Sequence, residues 1–351
     1  PDFELQHVYR ALEVIAKETD FIQSELYENS LSVSKRNDRV LYYDCTNYFF
    51  EIEQEDGLKQ YGFGKDHKPN PIVGMGLFMD GDGIPLAFSI HSGNTNEQTT
   101  LKPLEGKILK DFELSKFIVC TDAGLSSTEN RIFNDKNERA FITTQSVKKL
   151  KKYLKQWALD STGWHLPDRK ESYDISMLDK DEETYEKFKL ETFYKERWIK
   201  EDGLEQKLIV TYSLKYRDYQ RQIRSRQLER AVKLVETRPS DVTKRSQNDF
   251  KRFISYTNVT KDGEAADKTI YSLSEDTIAD EEMYDGFYAV CTNLDDDATS
   301  ITKINHRRWE IEECFRIMKS EFKARPVYLS RDDRIKAHFT TCFLALVVSV
   351  K

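Results

Sequence analysis

The order of apolar runs between residues 40 and 144 limits this 351-residue chain more than any other feature. Val40-Leu41-Tyr42-Tyr43-Asp44 is rich in β-branched and aromatic residues and predicts a strand, and Tyr48 to Glu53 predicts a second. Ile72 to Met79 and Pro85 to Ser89 predict two more, joined by Asp80-Gly81-Asp82-Gly83, whose glycines suit a tight hairpin turn. Asn94 then caps a helix reaching about Asp111, with Glu97 placed to complete a capping box. Lys116 to Thr121 is an apolar strand ending at Asp122. A short helix at Ser127 to Asn134 and a strand at Ala140 to Thr144 follow. Antiparallel strands followed by helix, strand, helix and strand predict a mixed α/β sheet with helices on both faces.

This rhythm breaks at residue 146. Residues 146–285 hold a lysine-rich stretch (Lys148, Lys149, Lys151, Lys152, Lys155), a strand candidate at Leu208 to Tyr212 and a long polar helix at Lys215 to Glu236. We expect an inserted subdomain there, before the strand Tyr288 to Thr292 and one long helix from Ser300 to Phe322. The expected organisation is therefore a helical segment at 1–37, the core's first part at 38–145, the insertion at 146–285 and the core's second part at 286–351. In the first segment Phe3, Val8, Leu12, Ile15 and Ala16 recur at helical spacing.

Composition narrows the class. Hydrophobic residues make up 38% and charged residues 33%, a globular balance, and no apolar run reaches the roughly 18 residues of a membrane span. Five scattered cysteines without a CxxC pair point to a reducing cytoplasm and away from a zinc site. The chain starts at Pro1 and stops within an apolar run, so we expect a piece of a longer protein. A net charge of −7 by itself counts against a nucleic-acid binder, although metal-binding carboxylates contribute to it.

The segment Ile304 to Phe322 carries the most chemistry. Ile304, Ile311, Phe315, Met318 and Phe322 form an apolar stripe. At about 100° per residue, Asn305, Arg308, Glu312 and Lys319 fall within an arc of roughly 60° beside it. Taken alone, this is more simply an Arg–Glu pair four residues apart on a solvated face. Asp44 and Asp122, each closing an apolar run, add two carboxylates where an ionised Asp needs a partner or a turn-capping role. Two Asp and one Glu together would suit hard divalent cations, and such clusters serve phosphodiester chemistry, with Arg308 and Lys319 holding phosphates.

The string Asn305-His306-Arg307-Arg308-Trp309-Glu310-Ile311-Glu312, with Lys319 beyond it, resembles the signature Tyr-x2-Arg-x3-Glu-x6-Lys of DDE transposases of bacterial insertion sequences, in the insertion-sequence-four superfamily and its 1634-like relatives. Three of the four positions match; Asn305 stands at the Tyr position. Asp44-Cys45-Thr46, Gly64-Lys65-Asp66-His67-Lys68-Pro69, Asp82-Gly83-Ile84-Pro85-Leu86, Gly93-Asn94-Thr95, Thr121-Asp122-Ala123-Gly124, Tyr212-Ser213-Leu214-Lys215, Arg325-Pro326-Val327-Tyr328 and Arg334-Ile335-Lys336-Ala337-His338 resemble further family segments in order, from about residue 38 onward. The resemblance implies an RNase-H-like fold with a β-rich insertion between the second Asp and the Glu. It implies Asp44, Asp122 and Glu312 as ligands of Mg²⁺ or Mn²⁺, two ions in all, and Arg308, Lys319 and Asn305 as DNA contacts. It also implies cleavage at transposon ends and strand transfer by a synaptic homodimer, in the cytoplasm at the nucleoid.

Two other readings keep the fold. A resolvase-like nuclease would share the triad without strand transfer, and the large insertion counts against it. A transposase-derived DNA-binding protein would bind DNA indifferently to metal. Among lesser features, Arg217, Arg221 and Arg224 share a helix face that is more simply solvated than a DNA contact, and Trp157, Trp164 and Trp198 are more simply core than base-stacking. Trp309 is expected to pack against the sheet. His306 and His338 lack metal-ligand spacing, and no P-loop motif occurs.

Overall fold

The computed structural model describes residues 3–66, 68–238, 242, 249–259 and 268–350; His67 of the Gly64–Pro69 string lies outside them. Helices α1 (Leu5–Lys17) and α2 (Thr19–Val33) lead into β1 (Val40–Phe49), β2 (Ile72–Asp80) and β3 (Pro85–Ser92). Then come α3 (Leu101–Asp111), β4 (Ile118–Thr121), α4 (Thr128–Asn134) and β5 (Ala140–Gln145). Beyond them lie α5 (Lys152–Leu159), α6 (Glu182–Phe188), β6 (Phe193–Glu201), β7 (Leu204–Tyr212), α7 (Leu214–Thr237), β8 (Ile254–Val259), β9 (Lys268–Leu273), α8 (Glu275–Glu282) and β10 (Phe287–Thr292). The chain ends with α9 (Ala298–His306), α10 (Trp309–Arg316), a π-helical turn at Ile317–Glu321 and α11 (Asp332–Ser349). It divides into two compact units: Pro1–Gln145 with Trp198–Leu208 and Val290–Lys351, and Ser146–Arg197 with Ile209–Ala289.

In the first unit β1 pairs antiparallel with β2, β2 with β3, and β1 runs parallel to β4, which runs parallel to β5. The sheet order is β3-β2-β1-β4-β5-β10-β7-β6, a mixed sheet as expected. Alternation along β1 explains how both faces are covered. Leu41, Tyr43 and Cys45 join a core with Leu101, Leu104 and Ile108 of α3. Tyr42 and Tyr48 face the other way: the Tyr42 hydroxyl donates to the Ile304 carbonyl of α9 (3.0 Å), and the Tyr48 ring lies 4.6 Å from that of Phe339 in α11.

Three sequence expectations change. Val40–Asp44 and Tyr48 onward are one strand, because Thr46 and Asn47 continue the ladder against Met75 and Gly74 of β2; Asp44 therefore sits mid-strand. Asn96, not Asn94, caps the turn before α3 by accepting from the Gln98 N–H (3.1 Å). The long helix from residue 300 is broken at Arg307 and Arg308. There the Arg307 and Arg308 N–H groups bond three residues back, to Ile304 (3.2 Å) and Asn305 (3.3 Å), and the Ile304 carbonyl also takes the Tyr42 hydroxyl.

The β2–β3 hairpin is fastened from the chain before β1. Arg36 forms a fully enclosed ion pair with Asp80 and also donates to Ser30 (2.9 Å) and the carbonyls of Ile84 (3.2 Å) and Pro85 (3.1 Å). Asp80 accepts from the Asp82 and Ile84 N–H groups of the turn, where Gly83 takes φ +85°.

The second unit contains the long basic helix. On α7, Arg217 pairs with Asp179 (2.6 Å) and Arg224 donates from Nη1 to Asp285 (2.8 Å), and both are buried, whereas Arg221 between them is exposed, as expected of a solvated face. Trp164 is core, packed against Tyr212 and Phe287. In the first unit Trp198 is 43% exposed, and Trp309 is 56% exposed rather than packed on the sheet. All five cysteines are buried and free, and among the described residues no helix is long and apolar enough to cross a membrane.

Removing one partner of a buried pair leaves the other uncompensated, so Arg36→Met should cost about 3–5 kcal/mol of stability. Urea unfolding of Arg36→Met and of Arg36→Met/Asp80→Asn checks this: the double variant should recover part of the loss.

Candidate active site

Parallel pairing of β1 and β4 sets the site. Tyr42 is in register with Cys120, so Asp44 and Asp122, each two residues further on, reach the same level on the same face. Asp44 is only 8% exposed, while Asp122 is partly buried in the turn that ends β4. Each carboxylate has one oxygen tied to backbone. Asp44 Oδ1 accepts from the Cys45 N–H (2.8 Å) and Asp122 Oδ1 from the Leu125 N–H (2.9 Å).

Burial pushes the Asp44 carboxyl up to about 6. Lys65 opposes the rise, the neighbouring Asp122 charge adds to it, and the Cys45 N–H and Arg308 oppose it again. Two acids thus share a poorly solvated position with two cations near them. Arg308 stands where α9 breaks from α10, and its Nε is buried without a hydrogen-bond partner. Asn305 is 3% exposed and accepts the Cys120 thiol (3.7 Å), which places it beneath the site rather than on its surface.

Glu312 is exposed on α10, and among the described residues it has no ion pair. Its neighbour Glu310 is held by Arg307 (2.8 Å). No group of three or more His, Cys, Asp or Glu side chains is arranged to hold a metal ion among the described residues. The structure thus brings together Asp44, Asp122 and Arg308 and does not draw Glu312 into a ready-made cluster. The helix-wheel geometry that grouped Glu312 with its neighbours assumed one regular helix, and both the break at Arg308 and the π turn depart from it.

Lys319 lies in that π turn, half-buried, its Nζ 5.4 Å from the centre of the Tyr48 ring. Burial pushes its amine down to about 8; Asp66 opposes this, and Arg325 and Lys65 add to it. No periodicity or spacing marks the loop around Lys65 as a source of functional side chains. Lys65 donates to the Cys45 carbonyl, its N–H bonds Asn47 Oδ1 (3.0 Å), and Asp66 pairs with Arg325. The loop therefore links β1 to the segment after the π turn. The Gly64–Pro69 string carried the signal, as a recurring motif without an assigned chemistry.

Acidic residues at the centre of one strand and the end of its parallel neighbour thus lie together with the charges of Lys65 and Arg308 close to Asp44. The model of the Transposase DDE domain matches residues 49–348, and the chain belongs to this family. The matched span holds Asp122, Asn305, Arg308, Glu312 and Lys319 and begins after Asp44. No curated protein matches the sequence. Among solved structures, a piggyBac transposase in a synaptic complex with hairpin DNA, seen by cryo-electron microscopy, is similar with a TM-score of 0.40 and 10% identity. The similarity covers 89% of this chain and 48% of that one, so the chain spans about half of its length.

The raised Asp44 carboxyl makes ionisation costly above about pH 6. The cost should fade as pH falls toward 4 and the carboxyl protonates in both the folded and unfolded states. Without metal, Asp44→Asn should therefore stabilise the fold at pH 8 by up to about 3 kcal/mol. Thermal melts in chelator at pH 8 and pH 4.5 check this: the gain should be present at the first and largely gone at the second.

Proposed function

We propose that this protein is a DNA transposase that cuts at transposon ends and joins them to target DNA with divalent metal. The observation that carries this reading is the convergence of Asp44 and Asp122 on adjacent parallel strands with Arg308 beside them. A buried and a partly buried carboxylate side by side, each with one oxygen free of backbone, is the donor set a hard cation stabilises. Asp44, Asp122 and Glu312 would hold Mg²⁺ or Mn²⁺, two ions in all, with Glu312 reaching in from α10. Bound there, the metal would activate the attacking water or 3′-hydroxyl and neutralise charge on the phosphate.

The remaining roles fall to side chains. Arg308 carries an unused buried Nε–H and binds a phosphate through its planar fork. Lys319 and Lys65 supply point charges along the strand entering the site. Asn305, enclosed beneath the site, supports β4 instead of touching DNA. DNA ends are the partner, and two copies of the chain would act together in a synaptic dimer. The exposed position of Glu312 favours one other reading, a transposase-derived protein that binds DNA without cutting it.

Nicking of DNA carrying the element's ends separates the two. With Mg²⁺ or Mn²⁺ the full-length protein should nick, and Glu312→Gln or Asp122→Asn should lower the rate about a hundredfold or more while DNA binding persists. Equal nicking in all three would remove Glu312 and Asp122 from the reaction, and binding with no metal-dependent nicking in any would establish the non-catalytic reading.

The Lys319 amine should lose its charge as pH rises through about 8. Affinity for end DNA, measured by anisotropy at fixed salt, should weaken between pH 7 and 9.5, and the salt slope should fall by about one. Lys319→Arg should flatten both trends.

A further inference from the structure

Helix α7 carries seven cations, and the fold treats them in two ways. Arg217 pairs with Asp179 and Asp218, Arg224 with Asp285 and Glu282, and Arg221 lies 3.6 Å from Asp285. The other four, Lys215, Arg226, Arg230 and Lys233, are exposed and take part in no ion pair among the described residues. At about 100° per residue these four fall within an arc of roughly 60° on the helix, turned away from the buried Leu214, Arg217, Arg224 and Ala231. Tyr219, 57% exposed, lies in the same arc. The acids of the helix, Asp218, Glu229 and Glu236, stand to one side of it. From Lys215 to Lys233 the ridge is about 27 Å long, at roughly 1.5 Å per residue.

Composition does not explain this ridge, because acidic residues outnumber Lys and Arg in the chain, 61 to 54. Nor does helix stability. Arg226, Arg230 and Lys233 are four and three residues apart, the spacings at which like charges on a helix repel. One exposed cation is ordinary. A stripe of them along one helix face, with no acid inside it, is the footprint of a polyanion. An acidic protein segment would need carboxylates placed to match four separate turns. A duplex carries about one charge per 1.7 Å, so it presents phosphates all along the ridge, over about eight base pairs. Lys and Arg side chains and a Tyr hydroxyl are groups that hold phosphates and fix position without reading sequence.

We propose that the outward face of α7, through Lys215, Arg226, Arg230 and Lys233, is a DNA-backbone contact surface additional to the residues assigned above. This rests on the reading of DNA as the substrate. The test measures binding without divalent metal, so that it does not depend on cleavage. The probes are fluorescein-labelled duplexes of equal length, one carrying the element's end and one of unrelated sequence, followed by anisotropy over a salt series. Each phosphate contact contributes about 0.9 to the slope of log affinity against log salt. Replacing all four cations by Gln in the full-length protein should therefore lower the slope by about three to four on both duplexes. Should that variant not fold, Arg226→Gln/Arg230→Gln should lower it by about two. Exchanging Lys for Arg and Arg for Lys at the four positions keeps the charge and should keep the slope. Replacing four other exposed lysines, Lys17, Lys110, Lys116 and Lys136, by Gln changes the net charge equally and should move the slope by less than about one. An unchanged slope after removal of the ridge, an equal fall in the other lysine set, or a loss confined to the end sequence would overturn this proposal alone. Failure of the wild type to bind either duplex would overturn the reading of DNA as the substrate as well.

Discussion

Two like charges on neighbouring parallel strands set the terms for the rest of the first unit. The β1–β4 register fixes Asp44 and Asp122 at one level, and burial keeps from Asp44 the water that would screen it. The cost appears in the raised Asp44 carboxyl, and the surroundings respond to it. Arg308 is delivered by a break between α9 and α10, and Lys65 by a loop fastened to β1. The break depends on the strand that carries the acid, since Tyr42 takes part of the Ile304 carbonyl. Strand, kink and cation form one arrangement.

Most of the scaffold was legible because its signals are local. The turn at Asp80-Gly81-Asp82-Gly83 and the apolar runs of β2, β4 and β5 need only nearest-neighbour chemistry to be read. What escaped depends on partners far along the chain. Cys45-Thr46-Asn47 has the polarity of a strand end, yet it lies mid-strand because β2 supplies a ladder for it. The break at Arg307 and Arg308 follows no Pro or Gly and comes from a hydroxyl 262 residues away. Arg217 and Arg224 look like a basic surface until Asp179 and Asp285 arrive from distant segments to bury them.

The acidic residues of the site were legible as residues and less so as geometry. Asp44 and Asp122 could be paired from the strand pattern once a parallel neighbour was assumed. Glu312 could be named from spacing, but its direction depended on a regular helix that this chain does not keep. The loop around Lys65 was the least visible part. It has no periodicity, and its function follows from what it bridges: Asn47 on one side and Arg325 on the other.

A chain with a net charge of −7 can handle a polyanion only by concentrating its cations where the polymer must lie. Here they gather at a cost. The Lys319 amine is partly desolvated beside Lys65 and Arg325, with Asp66 opposing them, and Arg308 buries an Nε–H that nothing among the described residues accepts. Buried donors are nearly always paired, and like-charged neighbours at a half-buried site weaken one another. A fold gains nothing for its own stability from such an arrangement. An external chain of phosphates would satisfy both defects together, accepting the Arg308 N–H and separating the charges of Lys65, Lys319 and Arg325. These energetic faults are the kind that an anionic, acceptor-rich ligand would relieve.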